Sequence, residues 1–361
     1  MRSDRQMTEE EHVIIHGLVC PRPLTHEDTV VLGHGSGGRL TQDLITQTFY
    51  PPLSNPTLLR GDDAAVVDPP DEGRLAVSTD AHIVAPLFFP GGDIGRLSVA
   101  GTVNDLVCMG AQPLWMTASF ILEEGLPVFV LQAALESMRS TAEEAGVEII
   151  AGDTKVAERG KCDGMFLSTT GVGRIPVGRH VHGANARPGD VVIVSGTIGD
   201  HGMAVLAARG ELGFEAQIQS DVAPLGSMVE ALFQATGEIH VMRDPTRGGL
   251  ATTLNEIARQ SGVCIEIEED KVPVNEPVAA ACEMLGFDPL YIANEGKLVV
   301  IADADSAGAI ELAMRGHHYG GKAARIGTVQ EAPEGRVLMK TSIGARRVVD
   351  TLSGELLPRI C

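Results

Sequence analysis

The sequence predicts an α/β (α+β) chain folded as two domains, on three observations. Short apolar or β-branched runs alternate with longer stretches in which apolar residues return every three or four positions, the mark of strands alternating with amphipathic helices. A stretch rich in glycine and proline, 174–189, separates two such series. With 361 residues, 44% of them hydrophobic and only 4% aromatic, the chain can fill two ordinary cores and is too apolar to stay unfolded.

Residues 1–28 are polar and without period, and read as a loose extension. In the first domain, 29–178, strands are expected at 64–68, 75–79, 114–121, 147–151 and 166–172, and helices at 94–109 and 128–145. In the second, 179–350, strands are expected at 191–195, 263–267, 298–301, 325–329 and 337–340. Helices are expected at 250–260 and 306–315, with a further helix starting at 203–208. Residues 351–361 carry no helical period and read as a flexible tail, able when extended to span up to about 35 Å at roughly 3.3 Å per residue.

The formal charge of −20 argues against nucleic-acid binding, which needs clustered lysine and arginine. It also repels free nucleotide, so any triphosphate must arrive with a divalent metal. No apolar run is long enough for a membrane span, and no basic segment precedes the longest early one, so a cytoplasmic location is expected. The six cysteines (20, 108, 162, 264, 282 and 361) include no C-x-x-C pair and mostly sit in apolar segments, which fits buried thiols in a reducing compartment.

The acidic motifs are expected where strands end: Gly61-Asp62-Asp63 before one, Ser78-Thr79-Asp80 closing a second, Gly152-Asp153-Thr154-Lys155 closing a third. Asn104-Asp105 falls inside the helix between them. Carboxylates gathered at loop ends suit Mg2+, which takes oxygen ligands and bridges protein to phosphate. A lone Gly-Asp is normally a turn, the reading that fits Gly189-Asp190. Gly33-His34-Gly35-Ser36-Gly37-Gly38 precedes a helix starting near Arg39, so its backbone can approach phosphate; it matches neither the P-loop nor the Rossmann pattern and fits a plain loop as well. Asp244-Pro245-Thr246-Arg247-Gly248-Gly249-Leu250 suits a phosphate contact or simple helix capping equally. Lys155 is close enough in sequence to share the Asp153 site, and Glu295 suits either a general base or a turn. The last residue, Cys361, is flanked by its own carboxylate, so its thiol should titrate at or above the ordinary value and attack poorly unaided. A carried group loaded by another protein suits it better.

Taken together, several of these motifs resemble one family. Pro86-Leu87-Phe88-Phe89-Pro90-Gly91-Gly92-Asp93-Ile94-Gly95, Asn104-Asp105-Leu106 with Met109-Gly110-Ala111, Gly152-Asp153-Thr154-Lys155, the 244–250 segment and Pro358-Arg359-Ile360-Cys361 are similar to the HypE family. These are carbamoyl dehydratases of nickel–iron hydrogenase maturation, within the ATP-binding superfamily typified by aminoimidazole ribonucleotide synthetase. The resemblance runs from about Val30 to the end, and the Phe-Phe-Pro-Gly-Gly-Asp and Pro-Arg-Ile-Cys segments are its most specific parts.

The resemblance implies an aminoimidazole ribonucleotide synthetase-like fold: an N-terminal ATP-binding domain that dimerises into a β-barrel, and a C-terminal α/β domain with a flexible tail. It implies a HypF-type carbamoyltransferase that loads Cys361, ATP-dependent dehydration of the carbamoyl group to a thiocyanate, and a HypC–HypD iron complex as cyanide acceptor. By the same resemblance Gly37, Gly38, Asp62, Asp63, Asp80, Asn104, Asp105 and Asp153 bind ATP, with Asp62, Asp63, Asp80, Asp105 and Asp153 holding Mg2+. Lys155 steadies the transferred phosphoryl group, and Glu295 takes a proton from the amide nitrogen.

Two rival readings stay open. A selenophosphate- or thiamine-phosphate-type kinase or synthetase of the same superfamily shares the acidic site but needs no terminal cysteine, and selenophosphate enzymes generally use a reactive Cys or selenocysteine where Gly35-Ser36-Gly37 stands. A passive carrier needs no Mg–ATP site.

Overall fold

The computed structural model describes residues 28–35, 39–60, 69–210, 217–351 and 360–361. The strand expected at 64–68, the residues before 28, and Gly37, Gly38, Asp62 and Asp63 lie outside the described residues.

In the first half the elements are α1 (Arg39–Leu44), α2 (Tyr50–Leu53), β1 (Arg74–His82), β2 (Phe88–Phe89), β3 (Gly92–Asp93), α3 (Ile94–Cys108), β4 (Gln112–Glu123), α4 (Val128–Ala145), β5 (Glu148–Ala157) and β6 (Met165–Ile175). Strands β1, β4, β5 and β6 form a sheet in the order β1-β6-β4-β5. Helix α4 covers the residues that its three- and four-residue apolar spacing predicts. It buries Leu131, Leu135 and Met138 and stops at Gly146, whose φ of 70° ends the helix in the left-handed conformation. Helix α3 begins on Asp93, whose carboxylate accepts hydrogen bonds from Gly95 and Arg96 N–H at 2.7 and 3.1 Å. Gly95 is obligatory there, because a Cβ would stand 2.0 Å from the Ala134 carbonyl of α4.

Two strands run further than their apolar cores suggest. Strand β1 pairs with β6 as far as His82, so Asp80 lies within the strand and does not close it. Strand β5 pairs with β4 as far as Ala157, so Asp153 and Lys155 are also inside a strand. Ladder hydrogen bonds are indifferent to side-chain polarity, and an edge strand can carry polar residues on its open face.

The second half contains β7 (Val191–Val194), α5 (Asp200–Ala208), α6 (Gly226–Ala235), β8 (Ile239–Arg243), α7 (Gly249–Ser261), β9 (Cys264–Glu268), α8 (Glu276–Leu285), β10 (Val299–Ala302), α9 (Ala307–Gly316), β11 (Ala324–Gln330), β12 (Arg336–Lys340) and β13 (Arg346–Val349). Its sheet runs β13-β12-β9-β11-β7-β10-β8, antiparallel except for β9 against β12. Asp190 makes the expected turn before β7, accepting from Arg187 N–H at 2.8 Å.

Helix α3 joins the halves. One side packs on β1 and β6, another on α4, and a third meets α6 and β8, so it is buried nearly all round. The first sheet is open at both edges in a single chain, and no closed barrel is present among the described residues. Among the described residues, no helix is long and apolar enough to cross a membrane. Cys108, Cys162, Cys264 and Cys282 are buried free thiols, as their apolar settings suggest.

Candidate active site

The segment leading into β10, Asn294-Glu295-Gly296-Lys297, is held from several directions. Asn294 accepts from Gly199 N–H at 2.7 Å and donates to the Pro245 carbonyl at 2.8 Å, fixing the start of α5 to the Asp-Pro-Thr-Arg loop. Glu295 N–H donates to Asp221 at 3.0 Å, and the Glu295 carbonyl accepts from Asn104 of α3 at 3.2 Å. Gly296 allows the 221–223 backbone to pass: a Cβ there would sit 1.7 Å from the Asp221 carbonyl. Lys297 closes the hub with a buried ion pair to Asp221 at 3.1 Å.

From this fixed backbone the Glu295 side chain meets the end of the chain. Cys361 is partly buried with its thiol beside the Glu295 carboxyl, whose Oε1 is buried and makes no hydrogen bond among the described residues. Burial pushes the Cys361 thiol well above its ordinary value, and the Glu295 charge adds to this. The thiol docked there is a protonated passenger.

Around this pair lies a set of carboxylates. Burial drives the Glu295 carboxyl well above the usual range, followed by repulsion from Asp244, Asp221, Asp80 and Asp105. Asp244 is pushed up to about 7 by burial and then by Asp105. Asp105 is raised by burial and by Asp80, partly offset by the hydrogen bond it accepts from Ser78 at 2.6 Å. Asp80 turns its carboxylate toward α3 at Gly101, near His82 at 3.8 Å. Mutual repulsion in a buried cluster is relieved by a cation or by protons.

The predicted site residues therefore divide. Asp80, Asp105, Glu295 and Cys361 come together. Asn104 sits beside them with its amide spent on main chain, donating to Ala223 and Glu295 carbonyls at 3.0 and 3.2 Å and accepting from Leu225 N–H at 2.9 Å. Asp153 and Lys155, an exposed ion pair at 3.0 Å, stand elsewhere. In register, Asp80 faces Thr169, Thr169 faces Ala118, and Ala118 faces Gly152. Three strand spacings, about 14 Å, thus separate the Asp80 and Asp153 edges. The faces differ too: Asp153 lies opposite exposed Ser119 and points away from α3, while Asp80 points toward it. A cavity of about 370 Å3 next to Asp153 is lined by Thr41, Gln42, Phe49, Phe120 and Gly152. No group of three metal-ligating side chains stands close enough to hold an ion by itself among the described residues.

Sequence reasoning missed Asp221, Asp244 and His201 as members of this site. Asp244 belongs to a motif that suits a phosphate contact or helix capping equally, and it is not singled out there, whereas Asp221 and His201 carry no local signal.

Replacing Asn104 by Leu leaves the Ala223 carbonyl and the Leu225 N–H without the partners Asn104 gave them and the Glu295 carbonyl with only a long bond from Ala223 N–H at 3.5 Å, so the chain should lose about 2–4 kcal/mol of stability, read from the denaturant midpoint.

Comparison with known proteins decides the family. The AIR synthase related protein N-terminal domain matches residues 61–175, and the corresponding C-terminal domain matches 187–340. Carbamoyl dehydratase HypE of Cupriavidus necator is 53% identical over 341 residues, covering 94% of this chain and 97% of its own length. The chain belongs to the HypE family of carbamoyl dehydratases.

It is therefore an enzyme of hydrogenase maturation. HypE of Escherichia coli is 42% identical over 338 residues, covering 92% of this chain and all of its own. A crystal structure of HypE in complex with ATP superposes with a TM-score of 0.89 at 49% identity, covering 92% of this chain and 100% of that one. A HypE–HypF complex structure matches with a TM-score of 0.75 at 47% identity, covering 87% and 100%. Thiamine-monophosphate kinase from Stenotrophomonas maltophilia, at 22% identity and a TM-score of 0.61, shares the fold alone.

Proposed function

We propose that this chain dehydrates a carbamoyl group carried on the Cys361 thiol to a thiocyanate, at the expense of ATP, to supply the cyanide ligand of a hydrogenase iron centre. The observation that carries this reading is the Cys361 thiol beside a buried glutamate whose Oε1 has no hydrogen-bond partner among the described residues. A thiol beside a carboxyl inside a pocket suits a substrate carrier better than a nucleophile.

ATP fits on two grounds. A HypE structure sharing 49% of its sequence with this chain was solved with ATP, and the buried carboxylates here repel one another, as Mg2+ sites do when the ion is away. Asp80 and Asp105 would take Mg2+, which usually needs only one or two carboxylates when phosphate supplies the rest. Asp62, Asp63, Gly37 and Gly38 complete the nucleotide site in this reading, and Asp153, on the other face of the sheet, joins it only from a second copy. Bound ATP supplies a phosphoryl group that turns the amide oxygen into a leaving group. Glu295 takes a proton from the amide nitrogen as that oxygen departs. The surrounding apolar packing keeps water from the activated carbon.

Lys155 can serve this site only from a second copy. The face of the first sheet that turns away from α3 carries Leu75, Val77, Trp115, Ile121 and Val172, and Leu75 and Val77 are 55% and 67% exposed. An apolar sheet face of that kind wants a partner, and Asp153 and Lys155 share it. A homodimer formed there, closing the two sheets into a barrel, would let Lys155 of one copy steady the phosphoryl group over Cys361 of the other. Mixing Lys155→Met with Glu295→Gln chains, each inactive alone, should restore dehydration up to about half per mixed dimer, because one site then holds both wild-type groups. Additive inactivity of the mixture would refute the shared site.

Carbamoyl loading by a HypF-type transferase, and cyanide transfer to a HypC–HypD iron complex, complete the proposal; a HypE relative has been crystallised with HypF. The test is intact-mass analysis after incubation with the transferase, carbamoyl phosphate and ATP. Cys361 should first gain a carbamoyl group and then lose one water. An unmodified Cys361 under loading conditions would overturn the proposal.

A further inference from the structure

His201 lies in the first turn of α5, fully buried, and touches the tail at Ile360, one residue before Cys361. Its Nε2 is 2.6 Å from the Ile360 carbonyl and its Nδ1 is 2.8 Å from the Ser220 hydroxyl. A carbonyl only accepts, so Nε2 carries the proton. In the neutral ring Nδ1 then accepts from Ser220. Ser220 Oγ in turn accepts from Val222 N–H at 3.1 Å. The bonds run in one direction without conflict: Val222 N–H to Ser220, Ser220 O–H to His201, His201 N–H to the Ile360 carbonyl. Burial holds the imidazole below its ordinary value and keeps it neutral, outweighing Asp221 and the Ile360 bond, which act the other way.

A second set of contacts fixes this chain of bonds from outside. The Phe89 ring packs edge-on against His201 with centroids 5.4 Å apart. Ser220 N–H donates to the Pro90 carbonyl at 2.8 Å. Gly91 has a φ of 92°, and a Cβ there would lie 2.6 Å from the Ser220 carbonyl. The Phe88-Phe89-Pro90-Gly91-Gly92 turn is thus built around His201 and Ser220. Besides His201, the last two residues are held among the described residues by the buried Ile360 side chain, the Ile83 N–H bond to the Cys361 carbonyl at 3.0 Å, the packing of Cys361 on the core and the closeness of its thiol to Glu295.

We infer that His201 is a positioning residue for the dehydration: through the Ile360 carbonyl it seats Cys361 against Glu295, and the Phe-Phe-Pro-Gly-Gly turn exists to hold it and Ser220 in place. The inference rests on the reading of Cys361 as the substrate carrier. It gives a physical reason for the two most specific segments of the chain to occur together, since one grips the other through His201.

The test uses the full chain and begins without ATP or partner. Iodoacetamide is added, and alkylation at Cys361 and at Cys108, Cys162, Cys264 and Cys282 is followed by peptide mass spectrometry. In His201→Ala, Cys361 should react roughly tenfold faster, as expected for losing a bond to a buried carbonyl, while the four core thiols keep their rates. His201→Gln, whose amide N–H can still reach the carbonyl, should return Cys361 close to the parent rate. With chain already carbamoylated, His201→Ala should slow single-turnover dehydration with ATP affinity unchanged. An unchanged Cys361 alkylation rate in His201→Ala overturns the inference, as does a rise shared by the core thiols, which would mark general loosening. The carrier reading fails separately, if the parent chain cannot be carbamoylated at all.

Discussion

Glu295→Gln is expected to leave carbamoylation of Cys361 intact and to slow its dehydration by about 10²–10⁴-fold, the range for removing a positioned proton-transfer group. Gln keeps the shape and the backbone bonds to Asp221 and Asn104, so the pocket should survive. What disappears is the buried carboxyl beside the Cys361 thiol. The pH dependence separates this from a packing effect. The Glu295 carboxyl is raised by burial and by neighbouring carboxylates, so in the docked chain it is protonated well above the usual carboxylate range and gains basic strength when it ionises. Dehydration should therefore rise with pH until Glu295 has lost its proton, and the small residual rate of the Gln variant should not follow that rise. Single-turnover mass spectrometry across a pH series reads both. A wild-type profile that falls with pH would remove Glu295 from the role of base.

Cys361→Ala should abolish the reaction outright, because it removes the atom to which the carbamoyl group is bound. No carbamoyl mass should appear on the chain, and ATP affinity measured by calorimetry should stay within about twofold of the parent, a difference of roughly 0.4 kcal/mol. The fold should be indifferent to the change: Cys361 is only partly enclosed and contributes one thiol contact. Thiocyanate formation by the alanine chain would end the carrier reading.

Much of the fold was legible because its elements follow their own periods. Helices α3 and α4 and strands β4, β6, β9 and β12 fall where apolar spacing places them. Elements α6, β8, α8 and β13 were not anticipated: β8 mixes His240 and Arg243 into a short run, and α8 opens on Asn275-Glu276-Pro277, which reads as a turn. The site was legible by composition and illegible by geometry. Carboxylate motifs announce themselves as residue types, but a strand places alternate residues on opposite faces, and nothing local says that Asp153 and Asp80 lie on opposite faces of one sheet. His201 was invisible for a related reason. Its partners, Ser220, Phe89 and Ile360, come from three distant parts of the chain.

Asn104 and Asp105 are consecutive residues of α3, and a single step around a helix turns them to different neighbours: Asp105 bonds Ser78 of the first sheet, and Asn104 bonds the Glu295 carbonyl ahead of the second. The helix acts as a caliper whose two points are one residue apart. Any swing of one sheet against the other that keeps these bonds leaves unchanged the gap between the Asp105 carboxylate and the backbone that carries the glutamate. Such a molecule does not have to rebuild, from one turnover to the next, the distance across which the chemistry is done.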